Sequence, residues 1–296
     1  MFPTLAAVVV ALVLGHVAQD VVAAVRRYGW FDDWLRWLGS RFPQGFWQGR
    51  WGVALALLPP LLVVASLQWA LHAPLLGFLG LLFGIGVLFH CWGPRDLDLD
   101  VDAIVDAPDL AARNAAIARL SPNGGDIASL LAAVFHAARR RWFGVLFWFL
   151  LLGAFGAVLY RLVVLAAEDD AARLPPDNAT GAKRLLAWLE WPVSQLMALF
   201  MALVGDFDTV FSAWKQNGGA GFDANADFLG AAGRASVRTE LADDAQDYAD
   251  AGESASEIAR ELGAMPELRD AMSLVWRTLV AWLAVIALFV IAGWVS

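Results

Sequence analysis

Three groups of residues have types and spacings that could do chemistry. His16, Gln19 and Asp20 stand at i, i+3 and i+4, so they share one face of a helix that is otherwise Ala, Val and Leu. An ionisable group at depth in a bilayer costs several kcal/mol, roughly, and marks a polar pathway or a bundle contact. The plainer alternative is that Asp20 reaches the interface beside Arg26 and Arg27. Asp96, Asp98, Asp100 and Asp102 alternate with Leu97, Leu99 and Val101. Extended, that string could gather Mg²⁺ or Ca²⁺, but it lacks the glycine and terminal glutamate of a calcium loop, and a solvated acidic stretch is the favoured reading. Tyr160 and Arg161 close one apolar run, while Glu190 and Pro192 open the next, with only residues 166–184 between them. Arg161 and Glu190 are therefore expected to approach each other, as a ligand-binding pair or as interfacial anchors. Arg277, near the start of the final apolar run, is expected to snorkel to the interface.

Other chemistries are excluded by what is missing. The single cysteine, Cys91, permits no intrachain disulfide or thiolate cluster and reads as a small buried hydrophobe. The four histidines, His16, His72, His90 and His136, form no HxxxH or HExxH spacing. Neither a GxxxxGK[ST] phosphate loop nor a GxSxG nucleophile elbow occurs. No catalytic residue is assigned on these grounds, and no cofactor is named. A net charge of −8 gives no broad basic face for phosphates, so nucleic acid is not an expected partner.

The elements that must position these residues follow from hydropathy. Of 296 residues, 59% are hydrophobic and 17% charged, and mean hydropathy is +0.58. The apolar excess is gathered into runs near the ~20 residues that cross roughly 30 Å of hydrocarbon. Runs at 5–25, 52–71, 75–92, 142–165, 185–205 and 274–295 predict an all-α, polytopic membrane protein with about six membrane-embedded helices. The first has no basic residue ahead of it and reads as a retained helix, not a cleaved leader. The second and third form a hairpin about His72-Ala73-Pro74, and Pro59-Pro60 should kink the second without ending it. The fifth is the weakest, because it holds Glu190, Pro192 and Gln195.

Lys and Arg stay on the cytoplasmic side. With the N-terminus outside, inner segments carry five basic residues at 26–50, six at 94–141 and five at 206–272, against four at 161–184 outside. Residues 1–296 then read as one integral membrane domain, with 94–141 and 206–272 as cytoplasmic helical loops. Trp30, Trp34, Trp37 and Leu38 share a helical face largely free of Asp32, Asp33 and Arg36, the pattern of an amphipathic helix in the headgroup layer. The 94–141 loop predicts a helix near 108–120, a turn at 121–125 and a helix running into the fourth span. The other loop opens with glycine-rich turn chemistry at 218–221 and continues as a helical stretch near 235–263.

Several stretches together resemble the AmpE family of inner-membrane proteins. They are Ala138-Arg139-Arg140-Arg141-Trp142-Phe143, the helix Phe147–Arg161, Gly93-Pro94-Arg95-Asp96-Leu97-Asp98, Trp188-Leu189-Glu190-Trp191-Pro192, Ala202-Leu203-Val204-Gly205-Asp206-Phe207 and Ala271–Arg277. The resemblance spans about residues 90–296. It implies a regulatory or signalling protein of the bacterial inner (cytoplasmic) membrane, linked to β-lactamase induction and muropeptide recycling. The implied partners are the lipid bilayer and a small-molecule ligand of cell-wall turnover, with an oligomer left open.

A more distant kinship is implied with the CobD/CbiB adenosylcobinamide-phosphate synthases, membrane enzymes that form an amide bond in cobalamin synthesis. Those enzymes look richer in acids and amides before and after the shared helix, where this chain reads His136-Ala137-Ala138-Arg139-Arg140-Arg141 and Val163-Val164-Leu165-Ala166. A ligase needs such oxygens to hold its metal and activate a carboxyl group, so their replacement favours the non-enzymatic reading. The expected ligand site is a polar pocket drawn from His16, Asp20, Tyr160, Arg161 and Glu190.

Overall fold

The computed structural model describes residues 28–43, 47, 52–71, 77–93, 96–122, 124–168, 174–222, 227–250 and 265–292. The first apolar run, with His16, Gln19 and Asp20, lies outside them, as do the 72–74 connection and residues 251–264. All regular structure among the described residues is helical. In chain order the helices are α1 (Gly29–Arg41), α2 (Gly52–Ala70), α3 (Gly77–Cys91), α4 (Leu97–Val105), α5 (Leu110–Leu120), α6 (Ile127–Ala138), α7 (Gly144–Leu152), α8 (Ala154–Ala167), α9 (Pro176–Val204), α10 (Phe207–Gln216), α11 (Phe228–Asp250) and α12 (Pro266–Ile291). A π-turn, Arg139–Phe143, joins α6 to α7. By length and hydropathy α2, α9 and α12 can each cross a bilayer, and α3 and α8 are shorter apolar helices. The chain forms two compact units, one from 1–94, 140–190 and 289–296, the other from 95–139 and 191–288.

In the first unit α8 is the central helix. It packs against α2, α3 and α7, and 11 of its 14 residues are buried. Residues 142–165, expected as a single fourth span, are instead a helical hairpin. The reversal is at Gly153, whose φ of 70° and ψ of −152° lie in a region that is essentially glycine-only. Beyond it α8 runs back along α7 so closely that a Cβ on Gly144 would stand 2.2 Å from the Tyr160 ring. At ~1.5 Å per residue, α7 and α8 are roughly 14 and 21 Å long, each short of the ~30 Å of a hydrocarbon core.

The turn frees backbone groups that need partners. Gln68 of α2 meets two of them, its Nε2 donating to Leu152 O at 3.1 Å and its Oε1 accepting from the Phe155 N–H at 2.8 Å. A lone amide in an apolar run thus bridges the end of one helix and the start of the next.

Helix α2 continues through Pro59 and Pro60. Pro60 has no N–H to give to Ala56 O, four residues earlier. The indole Nε1 of Trp34 donates to that carbonyl instead, at 3.0 Å. Helix α1 differs from its expected single apolar face. Phe31, Leu35 and Leu38 form the buried stripe, and Trp30, Trp34 and Trp37 a second stripe beside it, of which Trp30 and Trp37 are exposed.

In the second unit α11 packs against α6 and α10, and α4 against α5 and α6. Asp109, Asp126 and Asp206 cap α5, α6 and α10 by accepting from the N–H groups of Ala112, Ser129 and Thr209. Those bonds favour the ionised carboxyl and hold Asp126 and Asp206 below the usual carboxylate range. The acidic alternation is helical, not extended. Leu97, Val101, Ile104 and Val105 recur at i, i+4, i+7 and i+8 and are buried, so the apolar residues set a helical period.

Candidate functional site

The three consecutive arginines of the π-turn leave it in different directions. Such widened turns recur at functional sites. In the first unit Arg140 Nε donates to Glu190 Oε1 at 2.7 Å. Its carbonyl accepts from Arg161 Nη2 at 3.4 Å, while Arg161 Nε donates to Cys91 O at 2.7 Å. Arg161 and Glu190, expected to face each other, are therefore linked through Arg140. All three lie at one end of the hairpin, because α8 has returned toward the π-turn.

Arg161 is only 3% exposed. Its guanidinium lies 5.9 Å from the Tyr28 ring centroid, within cation–π range. Tyr28 in turn donates its hydroxyl to His90 O and packs its ring 5.1 Å from the His90 ring. Cys91 O is at the C-terminal end of α3, where the helix dipole favours a cation. Among the described residues Arg161 is held by carbonyls and a ring, with no carboxylate within ion-pair distance. Tyr160 is fully buried and fills the gap that Gly144 leaves between α7 and α8. On the opposite flank the stem of Arg141 lies against Gly93.

Arg140 thus pairs with the buried Glu190 carboxylate and Arg161 hydrogen-bonds the Arg140 carbonyl, all three on the segments that carry the family resemblance. Glu168 also acts electrostatically on Arg140, so Arg140 and Arg161 are balanced by Glu190 and Glu168. Guanidiniums hydrogen-bond carboxylate or phosphate bidentately, the chemistry these side chains offer.

A second polar cluster lies in the other unit. Asp227 precedes α11 and accepts from the Gly230 N–H at 3.0 Å. Its two oxygens also meet His136 Nε2 at 2.9 Å and Arg234 Nη1 at 3.1 Å. Burial alone would raise the Asp227 pKa, but the His136 and Arg234 contacts outweigh it and bring the carboxyl to about 2. A Cβ on Gly233 would meet the Phe135 ring at 2.2 Å, so α6 and α11 touch directly beside this triad. Glu240 of α11 pairs with Arg277 of α12 at 2.6 Å.

The acidic string does not converge. On α4, Asp98 accepts from Trp276 Nε1 at 3.0 Å, and Asp100 is buried on the apolar face. No group of three or more His, Cys, Asp or Glu among the described residues could hold a metal ion. His16 and Asp20 lie outside the described residues. Arg140, Gln68 and the His136–Asp227 pair were not singled out as site residues from sequence. The Arg139–Arg141 run and the lone amide in the second apolar run were the available signals; nothing local links residues 136 and 227. No family model, curated protein or solved structure matches the chain.

Proposed function

We propose that the chain is a multi-pass protein of the bacterial inner membrane, of the AmpE type, which acts in β-lactamase regulation and cell-wall recycling by binding a ligand. The observation that supports this reading is the Arg161–Arg140–Glu190 arrangement. Three segments on which the resemblance rests, the basic-aromatic lead, the Tyr160-Arg161 helix and the Trp188–Pro192 segment, each supply one member. The ligand class is the one the resemblance implies, a small cell-wall fragment, whose carboxylate or phosphate a guanidinium can hold bidentately. The residues offer binding groups in place of a nucleophile and base.

We propose four crossings in place of the six expected, a reading that the hairpin supports. Helices α6 and α11 pack together through His136, Asp227, Phe135 and Gly233, so 94–141 and 206–250 face one compartment and the chain between them crosses an even number of times. With 142–167 turning back at Gly153, an even number leaves α9, although long and apolar enough to cross, on the inner side in this reading. The crossings are then the 5–25 run, α2, α3 and α12, with both termini outside. Residues 161–184 move to the inner side, so all basic residues except Arg269 and Arg277, in the first half of α12, fall in inner segments or at the inner end of α8, and none falls at 72–76. That asymmetry is what cytoplasmic retention of Lys and Arg requires.

Single cysteines introduced at Ala73, Ser40 and Thr180 in a Cys91→Ala background test the topology. Ala73 is expected to react with an impermeant thiol reagent from the periplasm, and Ser40 and Thr180 only after lysis. External labelling of Thr180 would restore the six-crossing arrangement. For the role, deletion of the gene with the recycling amidase intact is expected to change basal or induced β-lactamase. No change, together with rescue of a cobinamide-synthase mutant by this chain, would overturn the regulatory reading in favour of the enzyme.

A further inference from the structure

An open groove of about 460 Å³ runs between α1 and α2, lined by Trp30, Trp34 and Trp37 on one side and Pro59, Pro60 and Val63 on the other, with Asp33 at its rim. Its size falls in the range of small-molecule pockets, roughly 300–1,000 Å³. Two features keep it open. The burial of α1 is met by Phe31, Leu35 and Leu38, which leaves the tryptophan stripe beside them turned to the groove. Trp34 is held at its base by the hydrogen bond to Ala56 O, the carbonyl that Pro60 leaves free.

What fills the groove follows from where it opens and from the charges at its rim. Its far wall belongs to a helix apolar and long enough to span a bilayer, whose Leu58, Leu62, Val63 and Leu67 are exposed. From Ala56 to Val63 is about 10 Å of helix, the depth to which an interfacial helix sinks its apolar side. Asp33 lines the groove and pairs with Arg36, one turn along α1 and outside the lining; with side chains 70% and 75% exposed, the two present one charge of each sign beside the groove.

We propose that this groove is a binding site for one phospholipid with a zwitterionic amino headgroup. An acyl chain lies along the tryptophans and Val63, the headgroup ammonium meets Asp33, and the phosphate meets Arg36. The proposal rests on the membrane reading of α2 and on nothing assigned to the arginine cluster. The acyl chain supplies most of the affinity by leaving no apolar wall unfilled. The rim supplies the choice of headgroup, since a quaternary choline ammonium has no N–H to donate to a carboxylate.

Native mass spectrometry of the delipidated, detergent-solubilised full chain tests this, with dioleoyl phosphatidylethanolamine, phosphatidylcholine and phosphatidylglycerol added in turn. The wild type is expected to retain one phosphatidylethanolamine about tenfold more tightly than phosphatidylcholine, or about 1.4 kcal/mol. Val63→Trp, which fills the groove, is expected to abolish retention of all three. Asp33→Asn alters an exposed side chain that folding does not need, and is expected to remove the preference while a lipid is still retained. Equal retention of the three lipids by wild type, or a preference that survives both substitutions, would overturn the site. If Val63→Trp fails to fold by circular dichroism, Asp33→Asn alone decides it. A chain that stays monodisperse without detergent would refute the membrane reading instead.

Discussion

Arg140 and Glu190 form an ion pair whose two members differ in burial: the guanidinium side chain is 45% exposed and the carboxylate only 9%. Removing one charge is therefore not equivalent to removing the other. Arg140→Gln removes this ion pair from a buried carboxylate and should cost about 2 kcal/mol. Glu190→Gln leaves a cation that can turn to solvent and should cost about half that. The double variant Arg140→Met with Glu190→Leu should be less destabilised than Arg140→Gln, because neither charge is then stranded. Unfolding in mixed detergent, monitored by helicity, checks the order. Equal costs for the two single variants would mean that the pair is not held as described.

The hairpin makes the sharpest demand on individual residues. Gly153→Ala places a side chain in a backbone region that only glycine occupies freely, and Cβ would meet Gln68 Nε2 at 2.8 Å. Its cost should exceed ~2 kcal/mol. Gln68→Leu keeps the volume and removes both partners of Leu152 O and the Phe155 N–H, at about 1–3 kcal/mol for each group left unmet. Thermal unfolding in detergent should show both variants well below wild type. A Gln68→Leu protein as stable as wild type would refute the bridging role.

Much of the architecture was legible because length and hydropathy are additive along the chain. The 52–71 run became α2, the stretch near 108–120 became α5 and the turn at 121–125 separates α5 from α6. The reversal at Gly153 was hidden, because apolar residues continue on both sides and hydropathy does not see direction. The residue that makes it tolerable, Gln68, lies 84 positions from Leu152. In α4 the period-two acids masked the helical period of Leu97, Val101, Ile104 and Val105. Arg140 was visible only as one of several basic residues, since Glu190, 50 positions on, is what gives it a place.

Asp227 ties stability to acid pH. Its carboxyl titrates at about 2 in the folded chain against 3.8 in the unfolded one. A depressed folded value means that the contribution is complete above pH 4 or so and is lost as pH falls through about 2. With the Asp227 side chain 42% exposed, solvent screening reduces it to about 1 kcal/mol. Asp227→Asn should lower stability by that amount at neutral pH and flatten this part of the acid profile. Parallel acid profiles for variant and wild type, measured from pH 5 to 2, would show that Asp227 does not carry the effect.

The bond from Trp34 to Ala56 O can be separated from the packing of the indole by a double-mutant cycle. Trp34→Phe keeps an aromatic ring and removes the N–H, which leaves the Ala56 carbonyl unmet beneath α1 and should cost about 1–2 kcal/mol. Pro60→Ala returns an N–H to the helix, so that carbonyl regains its donor from residue 60. In the Pro60→Ala background Trp34→Phe should therefore cost only a few tenths of a kcal/mol from altered ring contacts. A coupling near 1 kcal/mol would identify Trp34 as the side chain that stands in for the missing proline donor. Additive costs would mean that the carbonyl is satisfied by another route and that Trp34 acts through packing alone.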